Sequence, residues 1–127
     1  MQIGVPMEIK PQEYRVGMTP GGVRELVAAG HTVQVQTQCG ARIGLTDDRY
    51  RDAGAHVIET AEALFADCDL IVKVKEPQAQ ECRLLRSGQT LFTYLHLAAD
   101  PEQAKLLMAS GANCIAYETI TSPQGGL

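Results

Sequence analysis

No stretch of this sequence approaches the length of a membrane span, and Met1 leads straight into a strand-like run, not into a basic segment with a long apolar core. Neither a transmembrane helix nor a signal peptide is expected, no membrane partner is expected, and the cytoplasm is the expected location. An excess of positive charge is missing too. Eleven Lys and Arg against 15 Asp and Glu give a formal charge of -4, dispersed without runs of one sign, which argues against nucleic acid as a partner. Cys39, Cys68, Cys82 and Cys114 contain no C-x-x-C pair, so no zinc or redox motif is expected and the four read as reduced thiols serving as small buried hydrophobes. The loop from Gly40 to Gly44 lacks G-x-G-x-x-G and the lysine of a phosphate loop, which leaves no dinucleotide or nucleotide fingerprint. Aromatic residues are only 5%, with 45% hydrophobic and 20% charged residues, an ordinary composition with no sign of disorder or collagen-like repetition.

What is present reads as one α/β domain, since 127 residues suffice for one core and not for two. Strands are expected at Gln2 to Pro6, Thr32 to Thr37, His56 to Glu59, Leu70 to Val74, Thr90 to Leu95 and Asn113 to Tyr117. The run containing Leu70, Ile71, Val72 and Val74 is the most continuously apolar and is expected at the sheet centre. In Thr32 to Thr37, Val33 and Val35 alternate with polar residues, the period of a strand with one buried face near a sheet edge. Helices are expected after Thr19 with Pro20 at its first position, after Thr46 as far as Gly54, from Thr60 through Phe65, from Pro77 to Gly88, and after Asp100, where Pro101 and the amide of Gln103 complete a helix start.

Ala29-Gly30-His31, Ala53-Gly54-Ala55, Ser87-Gly88-Gln89 and Ser110-Gly111-Ala112 repeat one pattern of helix end, glycine and strand start. A left-handed glycine ends a helix and returns the chain to the sheet. Helical crossovers are what parallel neighbours require. The expected architecture is a doubly wound, mostly parallel sheet in a three-layer sandwich, flavodoxin-like or Rossmann-like, over residues 1–120, with a linker-like tail over residues 121–127.

In such a sheet the carboxyl ends of the strands share one rim, where ligands bind. Arg15 lies in the long loop from Met7 to Met18, Lys75 at the end of the fourth strand and His96 just past the fifth. A guanidinium fork suits a carboxylate, an ammonium suits a carbonyl oxygen, and an imidazole can move a proton near neutral pH. Each residue also has a plain structural role open to it: Arg15 pairing with Glu8 or Glu13, Lys75 and its neighbour Lys73 standing exposed on one strand face, His96 serving structure. His31 and His56 stand at strand starts, on the opposite rim, and read as structural. Glu118 lies at the crevice end of the last strand and reads first as a loop carboxylate.

The segments Ile3-Gly4-Val5-Pro6, Glu8-Ile9-Lys10, Glu13-Tyr14-Arg15-Val16-Gly17 and Thr19-Pro20 resemble the amino-terminal signature of the alanine dehydrogenase and proton-translocating transhydrogenase family. Val72-Lys73-Val74-Lys75-Glu76-Pro77 and Phe92-Thr93-Tyr94-Leu95-His96-Leu97-Ala98-Ala99-Asp100 are similar to alanine dehydrogenases in particular. The resemblance covers the whole chain and only the first part of the family's chain. It implies Arg15 as the group that binds the substrate carboxylate, Lys75 as the group that holds the substrate oxygen and carboxylate, and His96 as the acid or base. Lys75 and His96 are thus the expected catalytic residues.

The implied reaction interconverts L-alanine with pyruvate and ammonia using NAD, with pyruvate or L-alanine as the small-molecule partner. NAD is bound in the family by a later Rossmann domain. Leu127 comes before any such domain, so half of an active site is expected, with no tight cofactor binding and no activity alone. The alternatives are a stand-alone small-carboxylate binding or interaction module, or a transhydrogenase alpha-subunit segment, the latter disfavoured by the segment around His96. Apolar surface left uncovered is expected to make the chain a homo-oligomer. Two departures from the family pattern are Met7, where lysine is usual, and the residues Gln38 and Cys39, where small residues are common.

Overall fold

The computed structural model describes residues 1–125, so the last two residues of the expected tail lie outside the described residues. Strands β1 (Gln2–Val5), β2 (Thr32–Gln36), β3 (His56–Ile58), β4 (Leu70–Val72), β5 (Thr90–Thr93) and β6 (Asn113–Ala116) form a single sheet. Its order is β3-β2-β1-β4-β5-β6 and every neighbouring pair is parallel. That is the order of a Rossmann sheet and not of a flavodoxin one, and it reverses direction between β1 and β4. Helices α1 (Pro20–Ala28), α2 (Asp47–Asp52), α3 (Ala61–Asp67), α4 (Ala79–Cys82) and α5 (Pro101–Ser110) make the crossovers. None among the described residues is long and apolar enough to cross a membrane.

Successive strand residues face opposite sides of the sheet, and the core divides accordingly. Ile3, Val5, Val33, Val35 and Val72 pack under α1 and α2 with Val23 and Tyr50, while Ile71 and Leu91 pack on the other side with Leu64, Phe65, Cys82, Leu85 and Leu107. Val5, Val23, Val33 and Val35 are fully buried, each contributing roughly 1.5–3 kcal/mol. Cys39, Cys68 and Cys82 are buried free thiols, and burial pushes each up to about 11.

The four glycines after α1, α2, the segment past α4, and α5 have φ between 69° and 97°, as the repeated pattern required. Thr19, Thr60 and Asp100 cap as expected, each side chain accepting from the backbone N–H three residues on. Other expectations are corrected. Thr46 occupies the cap position of α2 without a side-chain bond; the neighbouring Asp47 instead accepts from Thr37 Oγ1 and Gln38 N. Gln103 does not close a capping box, because its Nε2 donates to the Leu95 carbonyl.

The helix expected from Pro77 to Gly88 is a single turn. The Arg86 N–H, which a longer helix would direct to Cys82, donates to the side chain of buried Gln89 instead. The polar face expected of β2 is not wholly exposed, since Gln34 is buried and donates to Gln2 and Asp67 under α3. Strands β4, β5 and β6 each end earlier than the apolar pattern suggested, at Val72, Thr93 and Ala116.

Candidate functional site

Since β1, β4 and β5 are adjacent in the sheet, the segments that follow them lie side by side at the carboxyl rim, where the strand order reverses. The long segment after β1 passes directly over the end of β4. A Cβ added at Gly17 would stand 2.5 Å from the Val72 carbonyl oxygen, so only glycine permits this approach. The end of the loop is pinned by Tyr50, whose buried hydroxyl donates to the Met18 carbonyl at 2.8 Å.

Its beginning is clasped to the segment after β4. Glu8 accepts from Val74 N at 2.7 Å and from Lys73 Nζ at 3.0 Å, and Lys10 pairs with Glu76. Lys73 Nζ also donates to Glu81 at 2.7 Å. The Lys73 ammonium is completely buried, with two buried carboxylates around it. Desolvation raises the Glu81 carboxyl above its ordinary range, against the pull of Lys73. Lys73 and Lys75 do not stand exposed together on one strand face, because β4 ends at Val72 and the alternation stops with it.

Lys75 is turned outward, about a quarter exposed, and its ammonium lies 4.7 Å from the centre of the Tyr94 ring. Its carbonyl accepts from the buried Thr93 hydroxyl at 2.8 Å, which fixes the main chain from which the ammonium projects. The His96 ring lies 5.6 Å from the same Tyr94 ring. Tyr117, just past β6, stands 6.1 Å from Tyr94 and 5.6 Å from Phe92, and its hydroxyl donates to the Val74 carbonyl. The two tyrosines therefore make an aromatic floor beside Lys75 and His96. His96 is exposed and left-handed, with φ 49° and ψ 41°.

Arg15 behaves differently. Its guanidinium is two-thirds exposed and donates through Nε and one terminal nitrogen to the two oxygens of Glu13, at 2.8 and 2.6 Å. That grip holds the Glu13 carboxyl down at about 2 and raises Arg15 further. Arg15 lines a cavity of about 390 Å³ between the loop after β1 and the loop after β2, with Tyr14 and Arg42, which stack at 4.8 Å. Lys75 and His96 do not line that cavity. Burial raises the Tyr117 hydroxyl above its ordinary value, and the positive charge of Arg15 opposes that rise in part. The structure thus brings Lys75 and His96 to one ring and leaves Arg15 at the neighbouring cavity, held by Glu13.

His31 and His56 stand at the amino ends of β2 and β3, on the far rim. Glu118 enters the site through the main chain, its Oε1 accepting from Leu95 N and His96 N. Tyr94, Tyr117 and the buried Glu8, Lys73 and Glu81 were missed as a group from the sequence. The signal for Tyr94 was its place two residues before His96, and for Glu8 and Lys73 their position just past the ends of two neighbouring strands.

A Rossmann sheet often seats a pyrophosphate on the helix that follows β1. Here that connection is long, the Thr19 hydroxyl already accepts from Gly22 N, and the buried Glu8 carboxylate lies at the switch point. These residues do not fit a dinucleotide.

Comparison with known proteins gives a family assignment. Residues 4–127 match the family model described as alanine dehydrogenase/PNT, N-terminal domain. An alanine dehydrogenase of Halomonas elongata is 56% identical over the whole chain, which covers 34% of that protein. A solved L-alanine dehydrogenase superposes with a TM-score of 0.95 at 49% identity, over 99% of this chain and 35% of its own. The transhydrogenase from Sinorhizobium meliloti superposes with a TM-score of 0.86 at 28% identity, over 93% of this chain and 35% of its own. The chain therefore spans about a third of the length of these relatives. On the match across nearly its full length, the chain belongs to the alanine dehydrogenase/PNT family, as an N-terminal domain of that family.

Proposed function

We propose that this chain is the substrate-binding part of an L-alanine dehydrogenase, which converts L-alanine, NAD⁺ and water to pyruvate, ammonium, NADH and a proton. The observation that carries the reading is the convergence of the Lys75 ammonium and the His96 imidazole on the Tyr94 ring, at the rim that the loop carrying Arg15 crosses. Higher identity to alanine dehydrogenases than to the transhydrogenase supports this choice within the family.

In this reading the Arg15 fork takes the substrate carboxylate through two parallel hydrogen bonds, in exchange for Glu13. Lys75 donates to the substrate oxygen and stabilises negative charge as it develops there. His96 takes or returns the proton at that oxygen or at the amine. The hydride acceptor is NAD, assigned to a part of the longer relatives beyond these residues. The chain is expected to bind pyruvate weakly and to be inactive in alanine oxidation by itself.

Calorimetry with pyruvate tests the reading. Weak binding by the wild-type chain, lost in both Arg15→Ala and Lys75→Ala, supports it. Binding that survives both changes sinks the assignment of roles, and NAD-dependent alanine oxidation by this chain, abolished by Lys75→Ala, overturns the expectation that it is inactive by itself.

A further inference from the structure

We infer that Glu118 is the positioning residue for His96: its carboxylate holds the His96 main chain in the left-handed conformation that turns the imidazole toward Tyr94. The catalytic meaning of this inference rests on the reading just given, whereas its structural content does not.

His96 is one of three non-glycine residues with positive φ among the described residues, and the other two, Gln12 and Gln38, lie in the loops after β1 and β2. An L side chain in this conformation crowds its own backbone, so something nearby must hold it there. Sheet register supplies the partner. Strands β5 and β6 pair through Thr93 and Ala116, so the segments that leave them stay side by side. Glu118 Oε1 then accepts from Leu95 N at 3.0 Å and from His96 N at 2.9 Å. Two consecutive amides on one carboxylate oxygen fix the peptide plane between them, and a charged acceptor makes these bonds stronger than neutral ones.

Past His96, the chain enters a short turn in which Ala99 N donates to the His96 carbonyl. No regular strand or helix holds the His96 amide, so without Glu118 it would be free to rotate. The bonds from the Leu95 and His96 amides keep Glu118 ionised, with its carboxyl below the ordinary range although burial raises it. Its other oxygen is buried and has no hydrogen-bond partner among the described residues, so the carboxylate is spent on this main-chain contact alone.

The test is solution NMR on the chain with and without pyruvate, comparing wild type, Glu118→Ala and Glu118→Gln. Wild type should show a strong intraresidue amide to Hα contact at His96, the mark of positive φ, and slow exchange of the Leu95 and His96 amides. Glu118→Ala should lose that contact and exchange both amides roughly tenfold faster or more, with strand amides unchanged, and should lose the pyruvate-induced shift of the His96 ring. Glu118→Gln, which keeps an oxygen acceptor, should restore the contact.

A Glu118→Ala protein with His96 still left-handed overturns the inference, as does a wild type with ordinary loop exchange at both amides. If Glu118→Ala does not fold, wild type and Glu118→Gln decide: loss of the left-handed contact in a folded Glu118→Gln protein overturns the inference and its retention supports it. Expected backbone results with no pyruvate response in any protein would overturn the proposed function and leave the positioning role standing.

Discussion

Replacing Lys73 by methionine should be among the most damaging single changes in this chain, because it removes the one cation enclosed by Glu8 and Glu81. The ammonium is completely buried and the two carboxylates nearly so, at 3.0 and 2.7 Å. Breaking a buried ion pair from one side typically costs about 3–5 kcal/mol, since the remaining charge loses its compensation. Against a total stability of roughly 5–15 kcal/mol for a domain, that is a large fraction, and the midpoint of thermal unfolding should fall on the order of 10–20 °C.

The pH dependence has a definite sign. Glu81 is already raised in the wild type, so the folded state binds its proton more tightly than the unfolded state does. That contribution is fully present below the ordinary carboxylate range and is lost as pH rises through the folded value. With Lys73 gone, Glu81 loses the cation that opposes the effect of its burial, so the deficit of Lys73→Met should be greatest near neutrality and shrink toward pH 5. Glutamine at both Glu8 and Glu81 keeps acceptors for Val74 N and Gln78 N while removing the charges. The triple variant should therefore recover most of the loss. Urea unfolding of the three proteins at two pH values decides the matter. A Lys73→Met stability within about 1 kcal/mol of wild type, or a triple variant no better than the single one, would refute the reasoning.

Gly17→Ala places a methyl 2.5 Å from the Val72 carbonyl and should displace the loop that carries Arg15, weakening pyruvate binding while the far side of the sheet keeps its amide shifts. Glu13→Gln should raise pyruvate affinity, since the Arg15 fork loses a charged competitor; unchanged affinity would show that Arg15 does not meet the ligand. The depressed Glu13 carboxyl also gives its pairing a pH window: present above about 4.5 and lost as pH falls toward about 2, visible in the Glu13 carboxyl carbon shift. The open edge of β6, with Ile115 and Ile120 exposed beside it, should drive association with rising concentration, and a monomer on size exclusion at all concentrations would contradict that.

Backbone chemistry was the most legible part of the sequence. The four glycines at helix ends and the caps at Thr19, Thr60 and Asp100 depend on local geometry alone, and they delivered the alternation of strand and helix. Element ends were less legible because tertiary polar contacts set them. Gln89 stops the segment after α4 by taking the Arg86 amide, and no local signal marks a glutamine that will be buried. The rim placement of Lys75 and His96 follows from strand order, but the division of labour between Lys73 and Lys75 does not. It depends on a Glu8 that is distant in the chain and adjacent in space. The grip of Glu13 on Arg15 was open to either of two carboxylates until the loop had a shape.

The pairing of β1 with β4 through Ile3 and Leu70 has a kinetic side. Strands β1, β2 and β3 can assemble from the first half of the chain, whereas the rim holding Lys75 and His96 needs a contact that closes a far longer loop. Such closures come late and slowly. During synthesis or refolding, a half-sheet able to persist should therefore precede any ligand competence. Mild denaturant should extinguish ligand binding before it dissolves the β1-β2-β3 unit.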